Sequence, residues 1–316
     1  MPLREKQLIA GIRRAAGGGR VRAGHGIGDD CAVLPLPGGH QALITTDFSL
    51  EGVHFRREWH PADSVGHRCL ARGLSDIAAM GGVPRAAFLS LALPPELPQE
   101  WVDRFIAGLL KLAKRYSVPL AGGDTAQSPA GVLADIVVLG SVPAGEAVLR
   151  SGARPGDLLY VTGTLGSSVA ALNRLRDGEK LRPRSHLKHF YPEPRIAVGQ
   201  FLREKKLVSA MIDISDGLST DLAHICEESG AGAVVNLRAL PVARGLDADD
   251  ALAFALHGGD EYELLFTARP GRRIPKHISG VAVTLIGEMV RGRQMKLVMV
   301  DGKSGVLKPG GWEHFQ

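Results

Sequence analysis

Apolar residues recur along the chain in two rhythms. In "WVDRFIAGLLKLAKRY" they return at helical spacing and bring Val102, Phe105, Ile106, Leu109 and Leu112 onto one face, which predicts an amphipathic helix. "PADSVGHRCLARGLSDIAAMGG" reads as a second helix, stopped by Gly81 and Gly82, with "SSVAALNRL" and "STDLAHICEES" as two more. Shorter apolar runs predict strands: "QALITT", "AAFLSLAL" and the long "GVLADIVVLGSV", whose one charged residue is Asp135. A break follows at "PAGEAVLRSGARPGD". Beyond it, "DLLYVTG", "AMIDIS", "GAVVNL", "ELLFTA", "VAVTLIGEMV" and "MKLVMV" read as further strands. The expectation is an α+β chain of two domains, residues 1–146 and 147–316, without an internal repeat.

Composition narrows the class. A chain of 316 residues with 45% hydrophobic and 22% charged residues suits two globular cores. The net charge of +5 raises the question of nucleic acid. The Lys and Arg residues are scattered, however, with no basic run interleaved with stacking aromatics, so no nucleic-acid partner is expected. Cys31, Cys69 and Cys226 lie far apart and form no C-x-x-C pair, which argues against structural zinc or a disulfide framework and for a reducing compartment. "MPLREKQLIAGIRRAAGGG" lacks the apolar core of a signal peptide, and no apolar stretch approaches the ~18 residues of a membrane span. A cytoplasmic location without membrane attachment is therefore expected.

The acids change the picture most. "GHGIGDDCAVL" places Asp29 and Asp30 side by side in a glycine-rich turn, where they repel each other. Acids beside Gly or Ser recur in "ITTDFSLEGVHF", "LSDIAAMGG", "LAGGDTAQSP", "MIDISDGLSTDL" and "HGGDEYELLF". Asp47 is expected just after the strand "ALITT", Asp124 after "PLAGG", and Asp213 and Asp216 at the close of "AMIDIS". Strand ends are where a sheet presents side chains to a ligand. Acids gathered there without His or Cys partners select a hard cation, with Mg²⁺ the first choice. Each also has a local reading: Asp76 can pair with Arg72 one helical turn away, Asp216 can cap a helix, and Asp29 can form an Asx turn. His54 reads equally as a partly buried structural histidine, and Trp312 as a packing anchor. "VTGTLGSS", a strand, a Gly turn and a helix start, can hold a phosphate on backbone N–H groups or be an ordinary turn. "GHGIGD" lacks the third glycine of a dinucleotide fingerprint, and "GKS" at 302–304 has Leu297 where a P-loop needs glycine.

Taken as a set, "GIGDDCAVL", "TTDFSLEGVHF", "LSDIAAMGG", "GGDT", "RSGARPGD", "YVTGTLG", "YPEPR", "IDISDGLSTDL" and "GGDEYELLF" resemble the thiamine-monophosphate kinase family. That family sits in the superfamily of aminoimidazole ribonucleotide synthetase and selenophosphate synthetase. The motifs keep the family's order from about Gly26 to Phe315. The resemblance implies two α+β domains, the N-terminal ones pairing across a homodimer, and ATP-dependent phosphorylation of thiamine monophosphate to thiamine diphosphate. It implies several Mg²⁺ ions, with Asp30, Thr45, Thr46, Asp47, Asp76, Asp124, Asp213 and Asp216 at metal positions. Of these, Asp47, Asp124 and Asp216 fall closest to the chemistry. Gly123, Asp124, Arg150 and Ser215 fall on nucleotide positions, and His54, Asp260 and Trp312 on thiamine-phosphate positions. The chain departs from the family at "GGDEYEL", where the usual order is "GGEDYEL"; a shorter carboxylate therefore stands at Asp260, with Glu261 beside it. Selenophosphate synthetase is the nearest rival, but its reactive N-terminal cysteine has no counterpart before Cys31. A metal-dependent nucleotide-binding regulator without turnover is the rival from another class.

Overall fold

The computed structural model describes residues 4–16 and 24–315. The first half runs α1 (Glu5–Ala15), β1 (Ala32–Leu36), β2 (His40–Leu50), α2 (Ala62–Ala79), β3 (Val83–Leu93), α3 (Gln99–Arg115), β4 (Leu120–Gln127) and β5 (Leu133–Pro143). Its five strands form one sheet in the order β1-β2-β5-β3-β4. The second half runs β6 (Leu158–Thr162), α4 (Ser167–Arg176), α5 (Leu187–Phe190), α6 (Ile196–Glu204), β7 (Ala210–Asp213), α7 (Leu218–Ser229), β8 (Gly232–Asn236), α8 (Ala248–His257) and β9 (Leu264–Ala268). It closes with β10 (His277–Ile278), β11 (Val281–Val290), β12 (Met295–Val298) and β13 (Ser304–Val306). Its main sheet has the order β13-β12-β8-β11-β6-β9-β7, with β10 pairing β11.

Helix α2 is the hub between the two sheets. Almost every residue from Ala62 to Ala79 is buried, because α2 is covered by the first sheet, by α3 and by the second half. Contact with α3 depends on glycine: a Cβ at Gly66 would lie 1.9 Å from the Phe105 carbonyl oxygen, and one at Gly108 2.0 Å from that of Asp63. Gly199 of α6 lets the second half approach equally closely, since a Cβ there would stand 2.0 Å from the Ala78 carbonyl oxygen. Side chains of α2 then hydrogen-bond across: Ser64 Oγ to the Phe190 carbonyl (2.6 Å), His67 Nε2 with the Pro192 carbonyl (2.8 Å) and Ser75 Oγ to Asp213 (2.5 Å).

Alternation along the first sheet sorts its side chains. Leu43 and Thr45 of β2 and Ile136 of β5 are buried. Phe48 and Phe88 point the other way and are 53% and 38% exposed, which leaves that face of the sheet bare, with two phenylalanines on it. Within the described residues, no helix is long and apolar enough to cross a membrane.

Candidate active site

Three acids from distant parts of the chain meet under α2. Asp30 precedes β1, Asp76 lies on the last turns of α2, and Asp213 ends β7. One carboxylate oxygen from each lies within 4.8 Å of the others. Thr45 Oγ1 donates to Asp76, Ser75 Oγ to Asp213, and Arg150 Nη2 to Asp30 (2.7 Å). The Arg150 backbone N–H also donates to Asp29 (2.9 Å), so both acids of the "GDD" turn are held by one residue of the interdomain segment. This contact, rather than a local Asx turn, occupies Asp29.

The electrostatics of the cluster follow from burial and crowding. Burial pushes Asp213 up to about 8, with Asp30 adding to the effect, and it pushes Asp29 up to about 7, with Asp30 again second. Asp76 is driven well above the usual carboxylate range by burial and then by Asp47, Asp213 and Asp30. Asp47, which lies against Asp76, is raised by burial although the Arg72 guanidinium opposes it. Asp216 reaches about 6 through burial, then Glu5 and Asp260. Oxygen Oδ2 of Asp29, Oδ2 of Asp30 and Nε of Arg150 are buried without a hydrogen-bond partner among the described residues. Acids this close hold protons they would give up to a cation. The donor set, oxygen throughout and with an orphaned Asp30 oxygen beside it, fits a hard divalent ion.

Several sequence expectations need correcting. Strand β2 continues to Leu50, so Asp47 lies inside it rather than after it; Asp124 likewise lies inside β4. Asp76 does not pair with Arg72, whose Nη2 turns to Asp260 (3.3 Å). Asp216 does not cap α7, because Asp221 fills that place by accepting from the backbone N–H groups of Asp216 (3.2 Å) and Gly217 (3.0 Å). Asp221 carries no signal in sequence beyond its place in the first turn of a helix. Thr46 points to the bare face of the first sheet and donates to Asp135 (2.9 Å). Asp124 is exposed, stands in one cross-sheet row with Ser90, Asp135 and Phe48, and accepts from the Thr125 N–H (2.8 Å). The three-acid cluster therefore forms without Thr46 or Asp124. Gly123 sits where a Cβ would meet the Leu89 carbonyl oxygen at 1.8 Å.

A second group borders the cluster. Asp260 has a left-handed backbone (φ 58°), and so does Tyr262 (φ 51°). Its carboxylate accepts from Arg68 Nη2 (2.8 Å), Arg72 Nη2 (3.3 Å) and Tyr262 OH (2.7 Å). Burial alone would raise Asp260, but Arg68 and Arg72 outweigh it and hold the group well below the usual range. The Asp260 N–H donates to the Ser215 carbonyl (2.7 Å), which ties the loop to the one carrying Asp216. The C-terminal "GGW" passes over the same loop: Gly310 and Gly311 donate to Ser219 and Thr220 (3.1 Å each), and Trp312 N–H to the Asp216 carbonyl (2.9 Å). A Cβ at Gly311 would meet that carbonyl at 2.0 Å. Trp312 is 47% exposed, which does not suit a packing anchor. It meets His314 edge-on (5.7 Å between rings), and His314 meets His54 in the same way (5.6 Å).

Glu261 faces away from Asp260. It accepts from the backbone N–H groups of Gly166 (2.8 Å) and Ser168 (3.2 Å) and from Lys188 (2.7 Å). The N–H cradle of "TGTLGSS" is thus filled by the chain's own carboxylate. Glu263, with Arg195 bidentate at 2.7 and 2.6 Å, completes a buried network that carries no marker in sequence.

Similarity to known proteins follows the same arrangement. Residues 28–142 match the AIR synthase related proteins' N-terminal domain, and residues 154–299 their C-terminal domain. The thiamine-monophosphate kinase of Salmonella typhimurium is 40% identical over 98% of both chains. The chain belongs to the thiamine-monophosphate kinase family. Solved members of the family superpose over nearly all of it. AaThiL complexed with AMPPCP and TMP gives a TM-score of 0.87 at 31% identity, covering 100% of this chain and 99% of that one. The family's enzyme from Stenotrophomonas maltophilia gives 0.77 at 34%, covering 95% and 96%.

Proposed function

We propose that the cluster holds several Mg²⁺ ions and that the chain, an ATP-dependent thiamine-phosphate kinase, transfers the γ-phosphoryl group of ATP directly to the phosphate of thiamine monophosphate. The observation that carries the metal reading is the meeting of Asp30, Asp76 and Asp213 within 4.8 Å, with the Asp30 Oδ2 atom left unpartnered. Identity to the family across the chain supports the substrates.

The acceptor is itself a phosphate with a second pKa of ~6, so it arrives largely as the dianion and needs no general base. The difficulty is repulsion. Two unit charges ~4 Å apart at an effective dielectric of ~20 repel by about 4 kcal/mol, and each partner here carries more than one. Mg²⁺ held there would supply the charge neutralisation that lets the two phosphates approach. Asp30, Asp47, Asp76, Asp213 and Asp216 are the residues that would hold it, with Thr45 keeping Asp76 in place. Gly123, Asp124, Arg150 and Ser215 form the nucleotide side, and His54, Asp260 and Trp312 the thiamine-phosphate side. Thr46 and Asp124, on the opposite, exposed face of the first sheet, are not among the metal-holding residues within one chain. That face, with Phe48 and Phe88, is the surface on which the N-terminal half, residues 1–146, pairs in a homodimer; residues 147–316 complete the site.

Direct transfer inverts configuration at phosphorus. Reaction with ATP chiral at the γ-phosphorus is expected to show net inversion and no labelled protein in the absence of acceptor. Retention, or ³²P trapped on the chain, would overturn the direct route. ADP release that ignores added thiamine monophosphate would overturn the substrate assignment.

Trp312 tests the thiamine side. An exposed indole face attracts a cationic thiazolium by ~0.5–2 kcal/mol. Trp312→Ala is expected to raise KM for thiamine monophosphate about 2- to 30-fold and leave KM for ATP nearly unchanged. Equal changes in both constants would return Trp312 to a packing role.

A further inference from the structure

Helix α2 presents Arg68, Arg72 and Asp76 one turn apart along the side that meets the second half of the chain. The two arginines differ in their commitments. Arg68 is spent: it donates to the carbonyls of His189 and His54 and to Asp260, and its side chain is 4% exposed. Arg72 is 13% exposed and makes one hydrogen bond, the 3.3 Å contact from Nη2 to Asp260; its Nε and Nη1 groups have no acceptor among the described residues. Such a guanidinium is a fork with two prongs to spare, the shape that grips a phosphate.

Its position is as informative as its free donors. Arg72 lies on α2 between Asp76, one turn on and part of the acid cluster, and Arg68, one turn back, which donates to the His54 carbonyl (3.5 Å); His54 with His314 and Trp312 makes the aromatic rim. A substrate with its heterocycle at the rim and its phosphate toward the acids would lay that phosphate across Arg72. Asp260 is poorly placed to touch the substrate itself, because both its oxygens are taken by Arg68, Arg72 and Tyr262. We propose that Arg72 grips the phosphate of the acceptor substrate and that Asp260 is a positioning residue that aims it, an inference that rests on the function proposed above.

The test compares two ligands that differ by one phosphate. Thiamine monophosphate and unphosphorylated thiamine are titrated calorimetrically into the full chain with Mg²⁺ and a non-hydrolysable ATP analogue, and KM values are measured alongside. One charge-assisted contact corresponds to about 10- to 100-fold in affinity. Arg72→Gln is expected to weaken thiamine monophosphate by that factor, with thiamine binding and KM for ATP changed less than about twofold. Asp260→Asn is expected to act in the same direction, and the double variant to be no worse than Arg72→Gln, since the two residues act as a unit. Arg72→Lys, which keeps the charge and loses the fork, guards against a folding defect and is expected to weaken only the phosphorylated ligand. Unchanged thiamine monophosphate binding in a folded Arg72→Gln, or equal loss for both ligands, would overturn the role of Arg72. A wild-type chain inert toward thiamine monophosphate would instead overturn the function on which it rests.

Discussion

Asp76→Asn is expected to lower kcat by ~10²–10³ while leaving the chain folded. The amide keeps the carboxylate's shape and still accepts from Thr45 Oγ1, so the end of α2 has no reason to move. What disappears is a charge that Asp47, Asp213 and Asp30 crowd in a buried place. Without metal the buried carboxylate must take up a proton, a cost the amide does not carry, so the variant is also expected to melt no lower than the wild type when Mg²⁺ is removed. ADP release at saturating Mg²⁺ and thiamine monophosphate, with a melting curve for each protein, checks both halves. Near-full turnover from a folded variant would take Asp76 out of the metal site.

The second large effect is a stability that falls with pH only when metal is absent. An acid whose folded pKa lies above its unfolded value keeps a proton that the unfolded chain has lost. Its contribution is full below the unfolded pKa of ~4 and fades as pH rises through the folded one. Asp29 at about 7 and Asp213 at about 8 therefore destabilise the fold progressively toward alkaline pH. The buried histidines act oppositely. His54, His60, His189 and His224 are pushed down to about 3, 4, 2 and 4 by burial, so they add stability as pH climbs toward ~6.5 and nothing beyond it. Between about pH 6.5 and 8 the acids are left unopposed, and Asp213 alone is worth roughly 1–2 kcal/mol, a few degrees in melting temperature. Metal-free protein is expected to melt lower at the upper end of this window, and added Mg²⁺ to restore it most where the acids are most ionised. A metal-free melting point that holds or rises, or protection by Mg²⁺ that is equal at both ends, would contradict the burial of competing charge.

Much of this is legible in the amino-acid sequence. The helix Gln99–Arg115 announces itself because its apolar spacing serves a local, one-sided burial, whereas Ala62–Ala79, buried on nearly every side, is marked by its stop at Gly81 and Gly82. Asp30, Asp76 and Asp213 could be singled out together because acids beside Gly and Ser recur too often for each to be a cap. Which acids share a pocket was not legible, since sheet register decides it: Asp47 faces α2, whereas Thr46, its neighbour, faces the opposite side with Asp135. Asp221 and Arg72 escaped for a related reason. Their significance lies in partners far along the chain or in donors left unpaired, and neither leaves a periodic trace.

The setting of α2 limits how such a chain can be recombined with its relatives. Glycine contacts lock the helix to α3, also in the first half, while Gly199 and the bond from Ser75 to Asp213 lock it to the second. A crossover in the interdomain segment would keep each sheet intact and still mismatch the helix that both sheets share. A hybrid made there would inherit steric conflicts at Gly199 and an orphaned carboxylate at Asp213 unless its parents agree along α2. The viable exchange unit is then not a domain but a domain together with the partner surface it was fitted to.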